Sequence, residues 1–223
     1  LQELVAYLEN GERCVCTSSG MAAITCGLLS MLKSGDHVVA NSSIYGETYD
    51  LLANVLPDYG IETTFVDLND LEAAEGAVRE NTRVFYTEVV ANPLTVVVDI
   101  DAIAALAHKH GARLMVDNTF TPCIIKPLDH GADMVVHALT KYINGHFDVT
   151  AGAVVASSQL MERVKYFVTL FGSSLGPFDA WLGLRGARTL DMRYSKQCEN
   201  AIKIAQALMK HPKIEAVYHP SLD

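Results

Sequence analysis

The feature that most constrains the fold is a regular alternation of short apolar runs with segments of helical periodicity. Apolar runs of strand length lie at residues 37–40, 63–66, 83–88, 112–117, 133–137 and 152–156. Segments with apolar residues at helical spacing separate most of them, at residues 20–33, 46–56, 70–79 and 101–110. This alternation is typical of parallel strands joined by helices that cover both faces of the sheet. The sequence therefore predicts a three-layer α/β fold, with a mostly parallel sheet flanked by helices.

The domain organisation follows from where this pattern changes. From about residue 158 the chain becomes helical, with glycine-rich breaks at 172–177 and 183–186. No internal repeat or low-complexity linker accompanies this change, so it is a change of pattern rather than a hinge between domains. Because the chain opens inside an amphipathic segment without a methionine and stops shortly after another, we expect segments at both ends to be missing.

The charge, the cysteine content and the absence of long apolar runs indicate what kind of ligand the protein binds and where it is located. The formal net charge is −9 over 223 residues, which disfavours nucleic acid and anionic membranes and leaves small molecules as the expected ligands. The five cysteines include no Cys-x-x-Cys pair, so they are interpreted as reduced thiols rather than a metal site or disulfide framework. No apolar run reaches membrane-spanning length and no secretory signal opens the chain, which predicts a cytoplasmic protein.

Polar residues at the carboxyl ends of the predicted strands are the candidates for a site, because open α/β sheets bind ligands there. Glu88 ends one strand, Asp117 ends the next, and Thr140 and Lys141 follow a third. Lys141 is either a solvated loop lysine or a partly desolvated amine with a lowered pKa that can form a Schiff base with a carbonyl. Asp117 either caps the next segment or pairs with a basic ring nitrogen.

Three further residue groups lie at the same edge of the predicted sheet. Residues 17–21 (T-S-S-G-M) open the first helical segment and are either an ordinary N-cap or an anion site. Tyr45 is either a packing residue or a ring that stacks on a planar heterocycle and moves protons. Asn92, before Pro93, is either a turn residue or a donor to a ligand oxygen. Together these signals indicate a ligand with a phosphate, a basic aromatic ring and a carbonyl. Neither the Gly-x-Gly-x-x-Gly fingerprint nor a Walker loop is present, which disfavours a nucleotide as the ligand and a nicotinamide dehydrogenase as the protein class.

The motifs that carry these residues resemble those of a known family. They are S-S-G-M, Y-G-E-T, E-V-V-A-N-P, V-D-N-T, T-K-Y-I-N-G-H-F-D and S-L-G-P-F-D-A-W-L-G-L-R-G-A-R-T-L. In order and spacing they are similar to the Cys/Met-metabolism branch of fold-type-I pyridoxal-phosphate enzymes, over essentially the whole chain. This branch includes methionine γ-lyase, cystathionine γ-lyase, cystathionine γ-synthase and O-acylhomoserine sulfhydrylase.

The resemblance implies a role for each candidate residue. Lys141 would carry the cofactor as a Schiff base, and Asp117 would pair with the pyridine nitrogen. Tyr45 would stack on the ring and assist proton transfer, Asn92 would face the phenolic oxygen, and Glu88 would support these contacts from behind. Lys141 and Tyr45 are therefore the predicted catalytic residues, with no metal.

The phosphate would be held by the backbone of Gly20 and Met21 together with the Thr140 hydroxyl, again by resemblance. Family members usually have serine where Ala138 stands, so we expect one hydroxyl fewer on the phosphate side. Glu47 replaces the cysteine usual in methionine γ-lyases, which argues against strict methionine specificity, and Phe147 replaces a smaller residue near the cleft.

The resemblance implies a large cofactor-binding domain over residues 1–210, with its N-terminal arm missing, and the start of a truncated C-terminal domain over 211–223. It also predicts γ-elimination on a sulfur-containing amino acid by a homo-oligomer, either a dimer or a tetramer. Two alternatives remain open. One is γ-replacement, as in cystathionine γ-synthase or the sulfhydrylases, and the other is a non-catalytic assembly subunit.

Overall fold

The computed structural model describes residues 1–222 and contains a seven-stranded sheet with helices on both faces. The strands are β1 Arg13–Thr17, β2 His37–Asn41, β3 Glu62–Val66, β4 Thr82–Glu88, β5 Arg113–Asp117, β6 Met134–His137 and β7 Gly152–Ala156. The helices are α1 Gln2–Leu8, α2 Gly20–Met31, α3 Gly46–Asp50, α4 Leu71–Gly76, α5 Ile100–Lys109, α6 Ser158–Leu170, α7 Pro177–Ala187 and α8 Leu190–Leu208.

The sheet is mostly parallel, as the sequence predicts. The strand order is β1-β7-β6-β5-β4-β2-β3, and only β7 runs against its neighbours β6 and β1 among the described residues. Glu88 pairs in register with Asp117, and Asp117 pairs with Val136. The carboxyl ends of β4, β5 and β6 therefore lie level at one edge of the sheet.

Helices cover the two faces and produce the predicted three layers. On one face, α2 and α6 pack over buried apolar residues of five strands, for example Tyr86, Met115 and Met134. On the other face, α5 packs over the centre of the sheet, and α1 and α8 pack with β1 and β7. The central strands read as nearly continuous apolar runs because both of their faces are buried.

Two features of the fold differ from the prediction. The sequence analysis missed β1, an edge strand of alternating burial that pairs with β7 far along the chain. The helix expected over 46–56 ends at Asp50 and continues as a π-helical turn and then a 3₁₀ turn, Leu56–Tyr59. Pro57 has no N–H to continue the helical hydrogen bonds, which is consistent with the π-helical turn ending at Val55.

After α8 ends at Leu208, residues 209–222 contain no helix or strand. The division of the chain at residue 210 stays a prediction. Within residues 1–222, no helix combines the length and apolarity needed to cross a membrane.

The buried imidazole of His37 on β2 generates a prediction about stability. Its Nδ1 lies 2.9 Å from the Thr82 hydroxyl and its Nε2 lies 2.9 Å from the Thr64 hydroxyl. Burial, together with the nearby Arg79, lowers the pKa of His37 from 6.5 to about 4. Between about pH 4 and pH 6.5, His37 is therefore protonated in the unfolded chain and neutral in the folded protein.

The free energy of unfolding should rise by about 3 kcal/mol between pH 4 and pH 6.5 because of this group, and its contribution should level off above pH 6.5. Urea titrations of wild type and His37→Gln at several pH values measure this, with the exposed His211→Gln as control. An identical pH dependence in His37→Gln and wild type would contradict a neutral buried imidazole.

Candidate active site

A cavity of about 530 Å³ lies at the carboxyl edge of β4, β5 and β6. All eight residues predicted for the site line it: Gly20, Met21, Tyr45, Glu88, Asn92, Asp117, Thr140 and Lys141. A second cavity, of about 610 Å³, is lined by residues of α1, β1 and α6 and by none of these eight. The smaller cavity is the candidate site, because acidic, basic and hydroxyl side chains from separate elements converge there.

Asp117 is held at the end of β5 by the turn that follows it. Its Oδ1 accepts a hydrogen bond from the Thr119 N–H at 2.8 Å, and Thr119 Oγ1 accepts one from the Ala138 N–H at 2.7 Å. Thr119 thus joins the end of β5 to the turn after β6. Burial raises the pKa of Asp117, so a cation placed in the cavity would be stabilised by its ionised form.

Thr119 also lines the cavity, and sequence reasoning missed it. The signal that could have found it is the V-D-N-T motif, since an aspartate before such a turn commonly binds the backbone N–H two residues later.

Glu88 ties two loops to the end of β4. Its Oε1 accepts a hydrogen bond from the Tyr45 N–H at 2.7 Å, and its Oε2 accepts one from the Asn92 N–H at 3.0 Å. Burial and the nearby Asp117 carboxylate raise the pKa of Glu88 to about 7, against the effect of these two donors. The side chain therefore fixes the backbone on which Tyr45 and Asn92 are carried into the cavity.

Tyr45 is the N-cap residue of α3 and its side chain is 37% exposed. The Glu47 carboxylate, as a hydrogen-bond acceptor, raises the pKa of the Tyr45 phenol, and burial and the charge of Glu88 act in the same direction. The phenol is therefore protonated near neutral pH and can donate a proton.

The N-terminus of α2 provides a site for an anion. Ser19 caps this helix, and its Oγ accepts a hydrogen bond from the Ala22 N–H at 3.0 Å. The N–H groups of Gly20 and Met21 belong to the first turn, where no intrahelical partner exists and the helix dipole favours negative charge. A Cβ on Gly20 would lie 2.8 Å from the Ala138 Cβ, so only glycine allows α2 to approach the turn after β6 this closely.

The turn after β6 carries Thr140 and Lys141 to the cavity. The Thr140 hydroxyl donates to the Ala151 carbonyl at 3.2 Å and accepts from the Ala151 N–H at 3.0 Å, so it would have to rotate to reach a phosphate. The Lys141 N–H donates to the Ala138 carbonyl at 3.1 Å. Lys141 is exposed, which matches the first of the two alternatives, a solvated lysine in a loop. The physical reason is that three turn residues carry it beyond the buried end of β6.

A buried polar cluster lies behind the strand ends. Glu9 Oε1 is 2.7 Å from His137 Nε2 and accepts a hydrogen bond from Asn118 Nδ2, also at 2.7 Å. All three side chains are buried. The cluster ties the chain after α1 to the ends of β5 and β6, and sequence reasoning missed it because Glu9 is more than 100 residues away in sequence.

Phe147, the bulky replacement noted in the sequence, lines the same cavity. It is 96% exposed and has a φ of +58°, a left-handed conformation that is an outlier for an aromatic residue. The turn that begins near Lys141 therefore ends in a strained, apolar residue at the cavity rim.

Comparison with known proteins places this geometry in a family context. The family model described as Cys/Met metabolism PLP-dependent enzyme matches residues 1–223. L-methionine gamma-lyase of Fusobacterium nucleatum subsp. polymorphum is 47% identical, covering all of this chain and 58% of that protein. A probable cystathionine gamma-synthase of Herpetosiphon aurantiacus is 42% identical, covering all of this chain and 70% of that protein.

A solved structure is similar over the same length. The crystal structure of cystathionine gamma-lyase from Lactobacillus plantarum complexed with L-serine has a TM-score of 0.96 and 39% identity, covering 99% of this chain and 58% of that one. The chain therefore spans less than two thirds of the length of these two lyases.

Replacing Glu88 with glutamine should loosen both loops that it holds. Glutamine offers one carbonyl oxygen, so one of the two backbone N–H groups at Tyr45 and Asn92 loses its acceptor, at a cost of about 1–3 kcal/mol in unfolding free energy. Amide hydrogen exchange should accelerate at one or both of these positions, with little change at Thr119, which serves as the internal control. Unchanged exchange at both positions would contradict the role given to the Glu88 carboxylate.

Proposed function

Because the chain belongs to the Cys/Met-metabolism family of PLP-dependent enzymes, we propose that it is the cofactor-binding part of a γ-lyase. The proposed reaction is γ-elimination on a sulfur-containing amino acid, with release of ammonia and an α-keto acid. The observation that carries this proposal is the convergence of Lys141, Asp117 and the N-terminus of α2 on one cavity. The names of the lyase relatives support the choice of elimination.

The residues around the cavity fit pyridoxal phosphate as the cofactor. The free N–H groups at Gly20 and Met21 suit its phosphate, and the glycine at residue 20 lets this helix end lie against Ala138 without a clash. The Asp117 carboxylate suits a protonated ring nitrogen, and Lys141 supplies the amine for its carbonyl. When bound, the cofactor would supply an electron sink for the charge that develops on the substrate.

The proton transfers of the reaction would fall to Lys141 and Tyr45. The Lys141 amine would take the proton from the substrate Cα once it is released from the cofactor carbonyl. Tyr45, protonated at neutral pH, would donate its proton toward the leaving group. Glu88 would hold the backbone N–H groups of Tyr45 and Asn92, and so keep both side chains against the cofactor.

The proposed phosphate site has one hydroxyl group fewer than the usual family pattern. Ala138 offers no hydroxyl, and the Thr140 hydroxyl is engaged with Ala151, so the backbone of α2 would carry most of the phosphate contact. We therefore expect weaker cofactor binding than a serine at position 138 would give.

Gamma-replacement is the second candidate reaction, favoured by the relative named as a probable cystathionine gamma-synthase. The full-length protein should be assayed with methionine and cystathionine for ammonia and α-keto acid, and with an O-acylated homoserine and a thiol for the replaced product. Elimination products without added thiol would support the proposal. If only the thiol-dependent replacement product forms, the protein catalyses the second reaction. If neither set of products forms, the non-catalytic assembly subunit is the interpretation that stands.

Assembly and location stay predictions. We propose a homo-oligomer, either a dimer or a tetramer, located in the cytoplasm and acting on small amino-acid substrates rather than nucleic acid or membrane. Light scattering of the full-length protein would measure the oligomeric state.

Lys141→Ala should abolish the covalent retention of pyridoxal phosphate and reduce the elimination rate by about 10²- to 10⁴-fold, the usual worth of a positioned acid or base. Borohydride treatment followed by mass measurement detects the covalent attachment. The control is Lys126→Ala, because Lys126 does not line the cavity and donates to Asn10 instead. Covalent attachment that persists in Lys141→Ala would refute the role assigned to Lys141.

A further inference from the structure

The guanidinium group of Arg193 on α8 donates hydrogen bonds to the backbone carbonyls of the turn that follows Lys141. Its Nη1 donates to the Tyr142 carbonyl at 3.0 Å, and its Nη2 lies 3.3 Å from the carbonyls of both Ile143 and Asn144. These are three consecutive residues, and they begin immediately after Lys141. A fork of donors on a rigid plane is well suited to hold several acceptors in one arrangement.

The other hydrogen bonds of Arg193 connect it to the end of α7 and to the start of α8. Nη2 donates to the Gly186 carbonyl at 3.0 Å and Nε donates to the Thr189 hydroxyl at 3.0 Å. The end of α7, the start of α8 and the turn after Lys141 therefore share one guanidinium. Burial lowers the pKa of Arg193 from its ordinary value, in keeping with a partly enclosed position.

Two glycines make room for this arrangement. A Cβ on Gly145, whose φ is +73°, would lie 1.8 Å from Arg193 Nη1. A Cβ on Gly186 would lie 2.2 Å from the Asn144 carbonyl oxygen. Any side chain at either position would push the guanidinium or α7 away from the turn.

The residues of this turn also hold the backbone N–H and C=O groups of Lys141. The Gly145 N–H donates to the Lys141 carbonyl at 2.7 Å, and the Lys141 N–H donates to the Ala138 carbonyl at 3.1 Å. Because the Lys141 side chain is exposed in the cavity, its direction is set by this backbone rather than by packing around the side chain.

We propose that Arg193 is a positioning residue that fixes the turn at residues 142–145 and thereby aims the Lys141 amine into the cavity. The proposal rests on the proposed function, because it is the cofactor carbonyl that the amine has to meet. Loss of the guanidinium would leave Lys141 present but misdirected, and a misplacement of about 1 Å is enough to reduce the rate of an oriented reaction about 100-fold.

The test measures how fast Lys141 captures pyridoxal phosphate in the full-length protein freed of cofactor, trapped with borohydride at timed intervals and quantified on the Lys141 peptide. Arg193→Lys keeps the charge but has one nitrogen, and Arg193→Gln loses the charge. Both should capture about 10- to 100-fold more slowly than wild type. Lys196→Gln, which removes a cation on the same helix that pairs with Glu199 at the surface, is the matched control and should capture at the wild-type rate.

A second readout separates positioning from a general loss of stability. In Arg193→Lys, amide exchange should accelerate at Asn144 and Gly145 while the exchange of β5 amides stays as in wild type, and kcat should fall more than KM changes. Capture at the wild-type rate in both Arg193 variants would overturn the proposal, and so would a failure of both variants to fold, since Arg193 would then serve the fold as a whole. If wild type itself captures no cofactor at Lys141, the proposed function fails instead, so the two failures are distinguishable.

Discussion

The parallel packing of β4, β5 and β6 is the constraint on which the rest of the structure depends. Their register brings Glu88, Asp117 and the end of β6 to the same level, so side chains from three separate segments meet at one edge. The side chains of Glu88 and Thr119 accept hydrogen bonds from backbone N–H groups of the loops beyond this edge, and so connect those loops to the sheet. The site is thus built outward from a rigid sheet, and the loops that carry Tyr45, Asn92 and Lys141 take their positions from it.

The electrostatics of this edge indicate the charge of what it would bind. Burial and the charge of the neighbouring Asp117 raise the pKa of Glu88 to about 7, and burial raises the pKa of Asp117. A buried carboxylate is costly unless it is paired. A ring nitrogen that carries a proton would stabilise the ionised Asp117, while the free N–H groups at the start of α2 favour a negative group at the opposite side of the cavity.

Local pattern was enough to predict six of the seven strands and most of the helices, and together with the family resemblance it predicted the eight residues that line the cavity. Strands such as β4 and β5 are buried on both faces, so their apolar runs stand out in sequence, and the residue that ends each one follows directly. What the sequence did not reveal depends on distant partners. The contact of Glu9 with His137, the pairing of β1 with β7 and the contact of Arg193 with the Lys141 turn each join segments separated by about 50 residues or more. The sequence alone left the exposure of Lys141 open, because the path of a turn cannot be read from its residue types.

The central claim is that one pyridine ring lies between the Lys141 amine and the Asp117 carboxylate. A crystal structure of the full-length protein with pyridoxal phosphate tests it most directly. The account predicts continuous density from Lys141 Nζ to the cofactor, with an Asp117 oxygen at about 2.6–3.2 Å from the ring nitrogen, which is ordinary hydrogen-bond range. A cofactor bound elsewhere, or a ring nitrogen facing a group other than Asp117, would contradict it.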